Sequence, residues 1–251
     1  KLLVEPNPGS EAMARDGVMK FDLPRNSQGT PLVGDPRNDE NLVLSQLQVA
    51  FLRFHNAVVD HVRADTGLTR PSAIFVEAQR LVRWHYQWII LHEFLPKTVG
   101  QAMVDHVLTH GRKFYKWRNA PYIPVEFSVA AYRFGHSQVR PSYRVNFGPN
   151  DASQLFALLF NDGLAVSPVA VDMRGGTRAP NRFIDWQTFF DFGDNRSRNN
   201  KRIDTKLSTV LLDLPGVPGG EPQARRRDGR EGAGHRQEGR RAHQHPAPRR
   251  G

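Results

Sequence analysis

The stretch Leu42-Val43-Leu44-Ser45-Gln46-Leu47-Gln48-Val49-Ala50-Phe51-Leu52-Arg53-Phe54-His55-Asn56-Ala57-Val58-Val59-Asp60-His61-Val62-Arg63-Ala64 decides the fold class. Leu44, Leu47, Phe51, Phe54, Val58 and Val62 recur at steps of three and four, which gives one apolar helical face, and Gly67 ends the pattern. Working outward, Pro71-Ser72 opens a second long helix with Ser72 as its expected N-cap. It runs through Ile74, Ala78, Leu81, Val82, Trp88 and Ile89 to Leu95, where Pro96 is expected to stop it. Being apolar on more than one side, it reads as a buried central element. A shorter helix is expected from about Val99 to His110, then an irregular aromatic and basic link from Lys113 to Tyr122. A further helix from about Val125 to Val139 carries His136 and stops at Pro141. Asp151 is expected to cap a short helix over Leu155 to Phe160, and another begins near Asp185-Trp186. Tyr143 to Phe147 is the best strand candidate. The body is mostly α with little β structure, and residues 1–41, rich in Pro, Gly, Asn and Asp, read as extended loop.

Composition sets bounds on function. With 251 residues, 39% of them hydrophobic, the chain can bury one substantial core or two small ones. It has no cysteine, which excludes disulfides and thiolate ligation. No segment reaches the roughly eighteen uninterrupted apolar residues of a membrane span. The opening at Lys1 shows no secretory signal layout, and a start without methionine reads as a beginning inside a longer protein; secreted and cytoplasmic locations both stay open. Half of the net charge of +10 sits after Pro215, where nine Arg face four acidic residues and no Leu, Ile, Phe or Met occurs. Residues 216–251 therefore read as a disordered Arg/Gly/Pro-rich tail. Three origins stand for it: out-of-frame translation of a GC-rich gene, which the composition favours, a passive linker, or a basic arm for nucleic acid.

Two short blocks carry the chemistry. Gly34-Asp35-Pro36-Arg37-Asn38-Asp39-Glu40-Asn41 puts an arginine and a glutamate three residues apart at the mouth of the first long helix. Ala130-Ala131-Tyr132-Arg133-Phe134-Gly135-His136-Ser137 sets a histidine among apolar and aromatic residues, with an arginine one turn before it. On local physics alone, Asp39 or Glu40 complements the helix dipole, Arg37 is a surface arginine and His136 a buried, backbone-bonded histidine. The other histidines lack His-Glu-x-x-His; His106 and His110, four apart, are the one metal-capable pair on a helix. There is no phosphate-binding glycine loop and no nucleophile elbow.

Together the two blocks resemble the animal-type haem peroxidases, the superfamily of myeloperoxidase, peroxidasin and the cyclooxygenases, with bacterial members nearest in character. The resemblance covers about residues 20–215, the middle of a family catalytic domain, and Phe54-His55-Asn56 adds to it. It implies haem b as cofactor and His136 as the axial ligand to its iron. It further implies Arg133 as a propionate partner, Arg37 as the catalytic cation of the distal cavity, and Glu40 as a haem contact able to form an ester link. Gly135 would let backbone approach the haem face. The implied reaction reduces hydrogen peroxide while oxidising a small organic or halide donor. Asn41 departs from the branch with a methionine at this position, so that branch's sulfonium link is not implied. The family's N-terminal Asp-His block, with its adjoining calcium site, is not found before Arg37, and the asparagine expected to orient the proximal histidine is not found downstream. The chain is thus expected to be an incomplete piece with impaired activity. Two alternatives remain: a haem fatty-acid oxygenase of the same superfamily, which would need a radical tyrosine, and a non-enzymatic nucleic-acid-binding protein acting through the tail. The body carries no basic stripe to support the second.

Overall fold

The computed structural model describes residues 1–149, the backbone of 155–158, and residues 173–176 and 179–212. The expected cap at Asp151, Phe160 and the whole of residues 216–251 lie outside the described residues. The described part is predominantly helical, as its sequence pattern requires.

Residues 1–41 are more ordered than a loop. Strand β1 (Glu5–Asn7) pairs antiparallel with β2 (Lys20–Asp22), with Pro6 opposite Phe21, around a one-turn helix α1 (Ser10–Met13). The polar composition hid this because a buried hydroxyl closes the hairpin. Ser10 Oγ donates to the Asn7 carbonyl and accepts from the Lys20 amide at 2.8 Å.

Helix α2 (Leu42–Asp65) matches its expected span. Asn41 caps it, its side-chain oxygen accepting from the Val43 amide at 2.9 Å. The buried face differs from the expected stripe in the first half. Leu44 and Leu47 are exposed, while Leu42, Ser45, Gln46 and Val49 point inward. The reason is polar suturing: the Gln46 amide donates to the Phe21 carbonyl, and the Leu42 amide donates to the Met173 carbonyl at 2.7 Å. In the second half Val58 and Val62 are buried as expected and pack with Val59 on Ile74 and Ala78 of α3 (Pro71–Ile89). Edge-on ring contacts, Phe51 to Tyr86 and His55 to Phe75, continue this helix pairing. By length and composition α2 could cross a membrane; its buried face packs on α3 and β2 as a core helix's does.

Three expectations about α3 are corrected. Arg70 holds the N-cap position and Pro71 is the first helical residue, so Ser72 falls inside the first turn and makes no cap bond. Pro96 does not stop the helix. A π-helical turn (Ile90–Phe94) precedes α4 (Leu95–Val99), whose second residue is Pro96, and Gly100 ends the run. The widened turn accommodates a proline whose ring would clash with the carbonyl four residues back in a regular α-helix. Nor is the helix buried all round: Trp84, Tyr86, Trp88 and Phe94 are each at least half exposed. Its apolar excess is real, but among the described residues little covers it.

Helix α5 (Gln101–His110) ends at Gly111, as expected. The expected Val125–Val139 helix is instead a short α6 (Val125–Val129) followed by a 3₁₀ segment, Ala131–Gln138. Strand β3 (Ser142–Asn146) pairs antiparallel with β4 (Leu155–Leu158), where a helix was expected. A four-residue apolar run carries no period that separates helix from strand, and the β3 edge decides it. Near Asp185-Trp186 the helix is a single 3₁₀ turn, Trp186–Thr188. Leu42, Val145, Met173 and Ile184 form a second small core, so α2 is anchored at both ends.

Candidate functional site

The distal block forms a 3₁₀ turn, Pro36–Asp39, capped by Asp35, whose carboxylate accepts from the Arg37 amide at 3.0 Å. The same carboxylate grips the Arg37 guanidinium, with Nη2 to Oδ2 at 2.6 Å. These bonds hold the Asp35 carboxyl at a pKa of about 2 and raise that of Arg37. Arg37 and Glu40 are both exposed. Three residues apart in a 3₁₀ turn, they share one side.

The residues under this turn were missed in the sequence. Arg25, its side chain only 5% exposed, lies between two nearly buried carboxylates: Nε to Asp22 at 2.9 Å and Nη1 to Asp39 at 2.8 Å. It also donates to the carbonyls of Gly29 and Gly176. Burial works against its charge, yet the bonds from Asp39 and Asp22 leave its pKa raised. Asp39 is thus an ion-pair anchor rather than a helix-dipole complement. From the other side, residues 173–176 are sewn to 39–42: the Gly175 amide donates to the Glu40 carbonyl at 3.0 Å, and a Cβ on Gly175 would fall 1.3 Å from the Asp39 carbonyl oxygen. Only glycine fits there. The signal that could have found this network was a lone Asp22-x-x-Arg25 pair, which has no distinctive spacing.

The proximal block occupies the 3₁₀ segment, where three residues per turn bring Arg133 and His136 onto one side. The Arg133 Nε donates to the Ser128 carbonyl at 3.1 Å, and the guanidinium lies 5.7 Å from the Tyr132 ring centre. His136 is exposed rather than buried and backbone-bonded, and its ring makes no hydrogen bond to a described residue. A Cβ on Gly135 would meet nothing within 4 Å. Glu40, three residues on, adds to the effect of Asp35 in raising the Arg37 pKa. No hydrogen bond or ion pair among the described residues joins Arg37 or Glu40 to Arg133 or His136.

The donor set fits a haem. An exposed imidazole with no hydrogen bond to a described residue, open space over the adjoining glycine and an arginine one 3₁₀ turn before the histidine are what an axial ligand, a close-packed porphyrin face and a propionate require. By contrast, His106 and His110 stack at 4.6 Å, and the described residues contain no group of three metal-ligating side chains around them. That pair is helix surface.

Residues 2–200 match the family described as animal haem peroxidase. Similar proteins include the peroxidase-like protein of Margaritifera margaritifera, 34% identical over 111 residues, covering 43% of this chain and 14% of that protein. Thyroid peroxidase of Canis lupus familiaris is 32% identical over 123 residues, covering 48% and 13%. Eosinophil peroxidase of Homo sapiens is 25% identical over 202 residues, covering 75% and 28%. The chain thus spans less than a third of the length of each. The match takes in both blocks and the helices between them, and the chain belongs to the animal haem peroxidase family.

Proposed function

We propose that this chain binds haem b through His136 and uses it as a peroxidase, reducing hydrogen peroxide at the expense of a small organic or halide donor. The observation that carries the reading is that both blocks lie within residues 2–200, the stretch that matches the animal haem peroxidase family, with the exposed His136 imidazole beside a glycine over which a Cβ would meet nothing. Bound haem would supply the redox-active iron at which peroxide is reduced.

The protein's own residues do the rest. His136 would hold the iron through a ring nitrogen. Arg133, on the same side of the 3₁₀ segment, would pair with a propionate on releasing the Ser128 carbonyl. Arg37 supplies a fixed positive charge where negative charge develops on the peroxide oxygens, and Asp35 limits the directions it can take. Glu40, three residues on and exposed, would meet the haem periphery and is the residue for an ester link.

The test is donor oxidation by the hemin-loaded full chain with peroxide and guaiacol. Turnover above that of free hemin is expected, falling by about 10²-fold in Arg37→Ala as an electrostatic donor is lost. Turnover equal to that of free hemin in both proteins would overturn the reading.

A further inference from the structure

We infer that the cleft between α4, β3 and residues 198–203 is a binding site for a small organic oxyanion, a phosphate or a carboxylate on a flat apolar body. The site is separate from the haem residues; none of Arg37, Glu40, Arg133 or His136 lines it.

The cleft has a volume of about 320 Å³, within the range of small-molecule sites. Its lining holds five cations, Lys97, Arg140, Arg144, Arg198 and Lys201, and no acidic side chain. Three of the five have no carboxylate partner among the described residues: Lys97, Arg140 and Lys201. The grouping is fixed by the backbone. Arg140 Nη2 donates to the Asn199 carbonyl at 2.6 Å, Arg144 donates to the Arg196 carbonyl, and Lys201 Nζ donates to the carbonyls of Ser137 and Lys206. A guanidinium has five N–H donors, so the single side-chain bond made by Arg140 leaves others for a ligand. Like charges gathered around a concave surface repel one another, and a bound oxyanion relieves that repulsion. Two further features fix the class. Ser142 lines the cleft and adds a hydroxyl, while Phe94, Tyr143 and Phe189 give it an apolar wall. Tyr143 and Phe189 stack at 6.3 Å with an interplanar angle of 16°, a surface suited to a flat ring.

The sequence does not reveal this site. Its cations come from three separate stretches, and the intervening pattern reads only as mild basicity.

Calorimetric titration of the full chain tests the inference with three probes: 1-naphthyl phosphate, 1-naphthoate and inorganic phosphate. Saturable binding of a naphthyl probe is expected, with the tighter of the two identifying the acidic group. Inorganic phosphate should bind about tenfold more weakly, having no ring for the wall. Lys97→Glu and Arg140→Gln should each weaken the naphthyl probe about tenfold, the effect of one charge-assisted bond. Lys97 is exposed, so Lys97→Glu keeps the fold intact, as far-ultraviolet circular dichroism can verify. Arg118→Gln, whose arginine lies outside the cleft lining, should bind as the parent does. Absence of saturable binding by either naphthyl probe would overturn the inference, as would equal losses in Lys97→Glu and Arg118→Gln. Inorganic phosphate binding as tightly as naphthyl phosphate would overturn the apolar part of the assignment.

Discussion

At Arg37 the guanidinium is already committed to Asp35, and the pair is exposed to solvent. The arrangement has a direct spectroscopic consequence. The Asp35 carboxyl is expected to titrate near pH 2 by NMR and to return toward about 3.9 in Arg37→Ala; a normal midpoint in the parent would show that the pair does not form in solution. One layer below, Arg25 neutralises Asp22 and Asp39 with all three side chains nearly buried. Arg25→Ala leaves two carboxylates without their counter-charge, and a loss of about 3–5 kcal/mol in chemical denaturation is expected. A loss below 1 kcal/mol would mean that the network is solvated. Arg37, Glu40, Arg133 and His136 stand out in the sequence because their spacing resembles a family pattern. The residues that hold the turn of Arg37 and Glu40 do not. Arg25 and Gly175 act across more than a hundred positions, through single bonds and one close backbone contact that no local pattern records.

At the scale of the element, His55 is the anomaly of α2. It is 4% exposed, lies edge-on to Phe75, and neither ring nitrogen has a hydrogen-bond partner. Desolvation pushes its pKa below the ordinary imidazole value. The unfolded chain therefore binds more protons than the folded one as pH falls through about 6.5. The folded state loses stability from that pH downward, until the native imidazole also titrates. His55→Leu should flatten this limb and, by removing a buried polar group without a partner, raise stability by about 1–2 kcal/mol at neutral pH. Denaturation midpoints measured from pH 7.5 to 5 decide it, and parallel slopes in the two proteins would contradict it. The elements show why reading by period succeeds and fails. Helix α2 spans 24 residues and its limits were legible to within a residue or two. Leu155–Leu158 is too short for a period, and the turns at Pro96 and Ala130 depend on local sterics that the apolar pattern does not register.

Across the whole molecule, two small buried clusters hold the described residues, one at each end of α2, rather than one continuous core. Alongside them Trp84, Trp88 and Phe94 stay exposed on α3 and the turn after it. The sequence made the apolar excess of α3 legible; that the described residues leave it open was not, since a period shows a face and not its cover. Such a surface predicts concentration-dependent association, checked by light scattering, which Trp84→Gln combined with Trp88→Gln should reduce. Scattering unchanged between parent and variant would place the association elsewhere.

The central claim is that His136 ligates haem, and hemin titration of the full chain beside His136→Ala, followed through the Soret band, tests it most directly. A saturable, imidazole-ligated spectrum is expected in the parent, and its loss in the variant. The same weak, non-saturating spectrum in both proteins would contradict it.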